Sequence, residues 1–221
     1  MIGMVDFKAA IFDLDGTLID SMGVWEKIDI DFLAKRGLPV PETYMNEICA
    51  RSFREAAEYT IDLFHLEESA GDLIREWNDM AIYEYSHNIK LKPYAKEYLM
   101  LLKSCGIKLG IATSLPAVLY EPVLSNNGVR TLFDAICSTD EVERGKEFPD
   151  IFLYAAKKLK TKPEKCVVFE DLPQAIRSAK LAGMFVYGVY DASSKEHWDE
   201  IKRVADGVLY DFRGAPKVTA D

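Results

Sequence analysis

A chain of 221 residues, 49% of them apolar and 29% charged, is long enough for one full α/β domain with a sizeable core, alone or carrying a small insert. Its formal net charge of −9 excludes the broad basic face that nucleic acid or an anionic membrane requires, so an anionic ligand must be held by local devices. No run approaches the length of a bilayer span and residues 1–8 carry no basic-then-apolar leader, so a cytoplasmic protein, monomeric by default, is expected.

The first predicted element is the apolar run Ala9-Ala10-Ile11-Phe12, which ends in Asp13-Leu14-Asp15-Gly16-Thr17. Such a run suits a strand covered on both faces of a parallel sheet, and ligands of such sheets collect beyond the carboxyl ends of the strands. Asp13 and Asp15 are two residues apart and would share one side of the pleat. Two carboxylates that close stay ionised only if a cation or donor compensates them; otherwise one takes a proton. A helix cap or an Asp-Gly turn is the competing explanation for this stretch taken alone.

Helical periodicity alone follows. Trp25, Ile28 and Phe32 share a face, as do Phe53, Ala56, Ala57, Thr60, Ile61 and Phe64, and then Leu73, Trp77, Met80 and Ala81. These stripes describe a small helical bundle over residues 21–90, inserted into a core made of 1–20 and 91–221, where it can serve as a lid.

From residue 91 strands and helices alternate. Pro93 opens a helix with Tyr94, Tyr98, Leu101 and Leu102 on one face, closed by Gly106. Strands are expected at 107–112, 134–138, 166–169 and 184–189. Helices are expected before Asn127-Gly128, late-starting or bent at Pro122, then over 149–160, and from Pro173 to Gly183. The fold class is therefore α/β: a doubly wound (Rossmann-like) parallel sheet with an inserted α-helical domain. Cys49, Cys105, Cys137 and Cys166 have no paired spacing and read as buried free thiols.

Polar clusters fall where this topology would place a site. Thr113-Ser114 follows the second strand and Glu170-Asp171 the fourth, while Gly145-Lys146 lies in the loop after the third. Singly, these are helix caps, helix entries and a solvated lysine. Together they fit phosphoryl transfer, where positioning and charge neutralisation supply most of the catalysis. A carboxylate attacking a phosphate dianion needs a bridging divalent cation, and hard magnesium prefers oxygen ligands such as Asp13 and Asp171. Backbone N–H groups around Asp15, Gly16 and Ser114 are candidates to cradle phosphate oxygens.

Asp13-Leu14-Asp15-Gly16-Thr17, Thr113, Lys146 and Glu170-Asp171 resemble the four ordered motifs of the haloacid dehalogenase superfamily, and the helical insert resembles the cap of its β-phosphoglucomutase-like branch. The resemblance implies a Mg²⁺-dependent hydrolase acting on a small phosphorylated metabolite, such as a sugar phosphate, through a phosphoaspartyl intermediate. Asp13 would be the nucleophile and Asp15 the acid and base. Asp13, the Asp15 carbonyl, Glu170 and Asp171 would form the metal site, and Gly16, Thr17, Thr113, Ser114 and Lys146 would surround the phosphoryl group.

An acid at Asp15 favours phosphate esters over the dehalogenase and phosphonatase members of that superfamily. Phosphosugar mutases of the branch usually carry a histidine where Trp25 stands and a serine–arginine pair that Ser114-Leu115-Pro116 after Thr113 lack, so a phosphatase is preferred to the mutase alternative. In the insert, Trp25, Arg51, Ser52 and Arg54 are the candidates to meet substrate, with exposed helix positions as the equal alternative for the arginines. A receiver-like signalling module fails on length and motif placement, and a non-catalytic relative on the retention of every motif residue.

Overall fold

A computed structural model describes residues 7–49, 51 and 53–218. Among the described residues six strands, β1 (Ala9–Phe12), β2 (Lys108–Thr113), β3 (Ala135–Ser138), β4 (Cys166–Glu170), β5 (Phe185–Val189) and β6 (Gly207–Leu209), form one sheet in the order β3-β2-β1-β4-β5-β6. Every neighbouring pair is parallel. The chain builds outward from β1 through β2 to β3, then returns to the far side of β1 with β4. The reversal of winding therefore lies between β1 and β4, where doubly wound sheets open a crevice at the strands' carboxyl ends.

β1 and β4 are buried along their whole length, as apolar strands covered on both faces must be. Phe12 lies opposite Phe169, their rings stacked at 4.7 Å. Tyr98 and Phe212 pack on Phe169 with ring centroids 5.8 Å away. This register carries a consequence for the site: Asp13 and Glu170, each one residue beyond that aromatic pair, emerge side by side. The Asp13 N–H donates to the Phe169 carbonyl at 3.0 Å, extending the ladder to the first acid.

The chain divides into two units, 1–22 with 89–221, and 23–88. Among the described residues the second holds four helices, α1 (Val24–Lys35), α2 (Tyr44–Cys49), α3 (Phe53–Phe64) and α4 (Ala70–His87). Helix α4 starts from a reciprocal cap between Ser69 and Asp72. Ile28, Phe32, Leu33, Ala57, Leu73 and Ala81 are buried in it, and Tyr44 reaches the Thr60 hydroxyl at 2.9 Å. Trp25 and Phe53, expected on buried stripes, are instead 37% and 45% exposed.

In the sheet-bearing unit the helices are α5 (Ala95–Ser104), α6 (Ala117–Asn126), α7 (Asp150–Lys158), α8 (Pro173–Leu181) and α9 (Trp198–Val204). Three expectations need correction. The face of α5 buries Tyr98, Leu99 and Leu102, whereas Tyr94, which precedes the helix with φ of 63°, and Leu101, on the flank of the stripe, are exposed. Of the two forms expected for α6, the late start does not hold: the helix begins at Ala117, carries Pro122 inside it and ends before Asn127. β6, three residues long, is an additional strand. Cys137 and Cys166 are buried free thiols, Cys105 is only half-buried, and the Cys49 side chain lies outside the described residues. No helix among the described residues is long and apolar enough to cross a membrane.

Candidate active site

The loop after β1 owes its shape to one carbonyl. The N–H groups of Thr17, Leu18 and Ile19 all converge on the Leu14 oxygen, at 3.2, 2.9 and 3.0 Å. Such a turn needs a left-handed residue, and Gly16 supplies it with φ of +76°; a Cβ there would collide with the Asp171 carboxylate. Gly16 is thus required by both its backbone angle and the closeness of the acid.

Asp13, Glu170 and Asp171 each offer a carboxylate oxygen within 4.8 Å of the other two, and all three are buried. Lys146 reaches into this group from the loop before α7, pairing with Asp13 and, at 2.8 Å, with Glu170. The second Glu170 oxygen accepts from the N–H groups of Asp171 and Leu172 at 3.1 and 3.2 Å. Glu170 is therefore saturated by protein donors and fixes Lys146. Among the described residues the Asp171 carboxylate accepts one side-chain hydrogen bond, from the Thr17 hydroxyl at 3.2 Å.

One buried cation against three carboxylates leaves an excess of negative charge. Burial, and then the Glu170 charge, push the Asp13 carboxyl above its usual range against the opposing pull of Lys146. Burial, Glu170 and Asp13 push Asp171 up as well. For Lys146, burial favours the neutral amine, but the Asp13 and Glu170 charges and hydrogen bonds outweigh it and raise its pKa. Oxygen donors close together, buried, and short of positive charge fit a hard divalent cation, with Asp13 and Asp171 holding the spare lone pairs.

A carboxyl whose folded pKa exceeds its unfolded value contributes fully below the unfolded value and loses that contribution as pH rises through the folded one. In chelator, the melting temperature should fall as pH rises from the ordinary carboxylate range to about 9, where Asp171 is placed. Millimolar Mg²⁺ should reverse the fall, most strongly at the alkaline end; melting curves with and without the ion check both.

Asp15 lies beside this group rather than in it. Its carboxylate accepts from the buried Ser21 hydroxyl at 2.5 Å. Ser21 carries no strand or motif signal, and only the folding of the loop onto itself brings it there. Thr113 ends β2, buried, with its hydroxyl oxygen accepting from the Leu115 N–H at 3.1 Å, so its own proton is left for another acceptor. Ser114, next in the chain, is exposed.

Two expected phosphate contacts are redirected. The Gly16 N–H is engaged by the Ile19 carbonyl at 3.2 Å, and the buried Thr17 hydroxyl serves Asp171. Both residues shape the acid cluster instead. In the helical unit, Trp25 and Arg51 line one cavity. Arg54 is not among its lining; it is highly exposed and pairs with Glu58 one turn along its helix at 3.1 Å. Ser52 lies outside the described residues.

A family model described as haloacid dehalogenase-like hydrolase matches residues 10–189. The validoxylamine A 7'-phosphate phosphatase of Streptomyces hygroscopicus subsp. limoneus is 30% identical over 93% of this chain and 94% of its own length. A phosphorylated carbohydrates phosphatase of Thermotoga maritima is 30% identical over 82% of this chain and 85% of its own. Among solved structures, one from Thermotoga maritima, described as a candidate beta-phosphoglucomutase, superposes with a TM-score of 0.80 at 28% identity, covering 91% of this chain and 94% of that one.

Proposed function

The chain belongs to the haloacid dehalogenase-like hydrolases, and from that premise we propose that it is a Mg²⁺-dependent phosphatase whose substrate is a small phosphate ester of a sugar or sugar alcohol. The observation that carries this reading is the convergence of Asp13, Lys146, Glu170 and Asp171 at the point where the sheet reverses its winding. Phosphatases of phosphorylated carbohydrates among the relatives favour the substrate class, and Trp25 in place of the histidine usual in mutases favours hydrolysis over phosphoryl relocation. The helical unit is taken as the part that selects among metabolites, and the protein as a cytoplasmic monomer.

In this mechanism Asp13 attacks phosphorus, and the P–O bond to the ester oxygen breaks as an aspartyl phosphate forms. Asp15 gives that oxygen its proton, then takes one from the water that cleaves the aspartyl phosphate, returning Asp13 as a carboxylate. Lys146 is held by Glu170 against Asp13 and faces the incoming anion, while Thr113 and the Ser114 backbone donate to its oxygens. Mg²⁺, held by Asp13, the Asp15 carbonyl and Asp171 with Glu170 nearby, would screen the carboxylate from the dianion. The apolar strands beneath exclude water from the attacking oxygen.

Ser21 holds Asp15 in place here. Replacing Ser21 with Ala should lower kcat about tenfold, the value of one hydrogen bond to a charged group, with KM little changed. It should also move the pH–rate limb assigned to Asp15 upward, because the ionised acid loses a donor. The substrate reading is tested by phosphate release from hexose, hexitol, pentose and glycerol phosphates with Mg²⁺, alongside β-glucose 1-phosphate with its bisphosphate activator. Release from one or more sugar or hexitol phosphates supports it; isomerisation without net release would favour a mutase.

A further inference from the structure

The chain leaves the sheet-bearing unit after residue 22 and returns to it at 89, and the two segments beside those crossings are tied together. Ile19 and Leu91 form an antiparallel bridge. The Asp20 N–H donates to the Lys90 carbonyl and the Lys92 N–H to the Leu18 carbonyl, each at 2.9 Å. The outgoing segment continues the loop after β1: the Leu18 and Ile19 N–H groups are bound to the Leu14 carbonyl, and Ser21, one residue past Asp20, donates to Asp15. Whatever fixes the returning segment therefore fixes the outgoing one and, through Ser21, the acid.

Two sets of side-chain contacts fix the returning segment. Asn127, which caps α6, accepts from the Leu91 N–H at 3.2 Å and donates to the Ile89 carbonyl at 3.1 Å. The Lys92 ammonium donates to the Tyr190 carbonyl at 2.9 Å and to the Asp191 carboxylate at 2.6 Å, just past the end of β5. Lys92 and Asp191 are both buried. The other Asp191 oxygen accepts from the Ser193 N–H and hydroxyl at 2.8 and 2.5 Å. Burial works against the ionised carboxyl, but the hydrogen bonds from Lys92 and Ser193 outweigh it and hold it below its usual range. A buried ion pair adds little net stability over apolar side chains of the same volume. Its hydrogen bonds are directional, and here they set the backbone at Lys92.

We propose that Lys92 and Asp191 are positioning residues for Asp15: their ion pair pins the returning segment to the carboxyl end of β5, and that segment's hydrogen bonds to Leu18 and Asp20 hold Ser21 where its hydroxyl meets the acid. The proposal rests on the phosphatase reading, in which Asp15 is the acid and base. Because the pair acts through Ser21, its effect on turnover is bounded by what the Ser21 contact is worth, about tenfold.

The test compares the full chain with Asp191→Asn, which keeps an oxygen for Ser193 and removes the charge, and with Lys92→Met. Asp191→Asn, the milder change, carries every arm on its own. Amide hydrogen exchange should quicken about tenfold or more at Asp20 and Lys92 and stay as in the parent at Ile11 and Phe12 in β1. With Mg²⁺ and 4-nitrophenyl phosphate, kcat should fall about fivefold to tenfold, and the pH–rate limb assigned to Asp15 should move upward as in Ser21→Ala. Added to Ser21→Ala, Asp191→Asn should cost less than about a further twofold, whereas an independent structural defect would cost its full factor again. Parent-like exchange at Asp20 and Lys92, an unmoved limb, or losses that multiply with Ser21→Ala would overturn the proposal. A parent without Mg²⁺-dependent turnover would instead overturn the phosphatase reading, and the exchange measurement would still decide whether the pair holds the segment.

Discussion

Replacing Asp13 with Asn should lower Mg²⁺-dependent turnover of an aryl phosphate by about 10⁴-fold or more, the scale seen when a covalent nucleophile is removed, without unfolding the protein. The amide is nearly isosteric, so the β1 ladder that ends at the Asp13 N–H remains. It also removes a charge that burial and Glu170 already disfavour. The chelated variant should therefore melt at or above the temperature of the parent at about pH 8. Opposite signs in activity and stability distinguish loss of a nucleophile from damage to the fold. Steady-state kinetics with a paired melting curve measures both, and residual activity within tenfold of the parent would remove Asp13 from the reaction.

The second large effect is expected at Lys146. Its ammonium is the partner of both Asp13 and Glu170 in a setting where its own side chain is 11% exposed. Lys146→Met keeps the stem and deletes the charge, leaving buried carboxylates without their cation. Breaking a buried pair on one side costs about 3–5 kcal/mol, and the loss here should grow with pH as Asp13 and Asp171 ionise. Turnover should fall about 10³-fold, the scale of a lost electrostatic donor to a developing charge. Millimolar Mg²⁺ should restore much of the stability and little of the activity, because it neutralises the acids without supplying the donor to phosphate. Urea unfolding at about pH 6 and 8, each with and without Mg²⁺, reads the stability part. A pH-independent loss would indicate packing rather than charge.

What the sequence disclosed about the site depended on strands. Asp13 and Glu170-Asp171 were readable because an apolar run that stops at an acid marks the carboxyl end of a buried strand, and the β1–β4 register then sets those ends level. Lys146 came only from the order of motifs, since a lysine in a loop has no periodicity. Ser21 and the true role of Thr17 were hidden, because both depend on a loop folding back on the Leu14 carbonyl, a tertiary event that local pattern does not encode.

The fold shows the same division. The long buried strands and the helical insert have clear periods, whereas Gly207-Val208-Leu209 is too short to carry one. Helix α5 was placed correctly, but Tyr94 precedes it in a left-handed conformation and so is no part of its face. Arg54 is a cation that its helical neighbour Glu58 absorbs.

The account turns on a covalent bond between Asp13 and phosphorus, and Asp15→Ala is the variant that exposes it. An aryl phosphate needs no proton on its leaving group, so phosphorylation of Asp13 proceeds while the water that should cleave the product lacks its base. After brief reaction with Mg²⁺, acid quenching and peptide mass spectrometry should find one phosphoryl group, on the peptide containing Asp13, in near-stoichiometric amount. Turnover by that variant at the parent rate, or release of phosphate with no phosphorylated Asp13 at any time, would contradict the account.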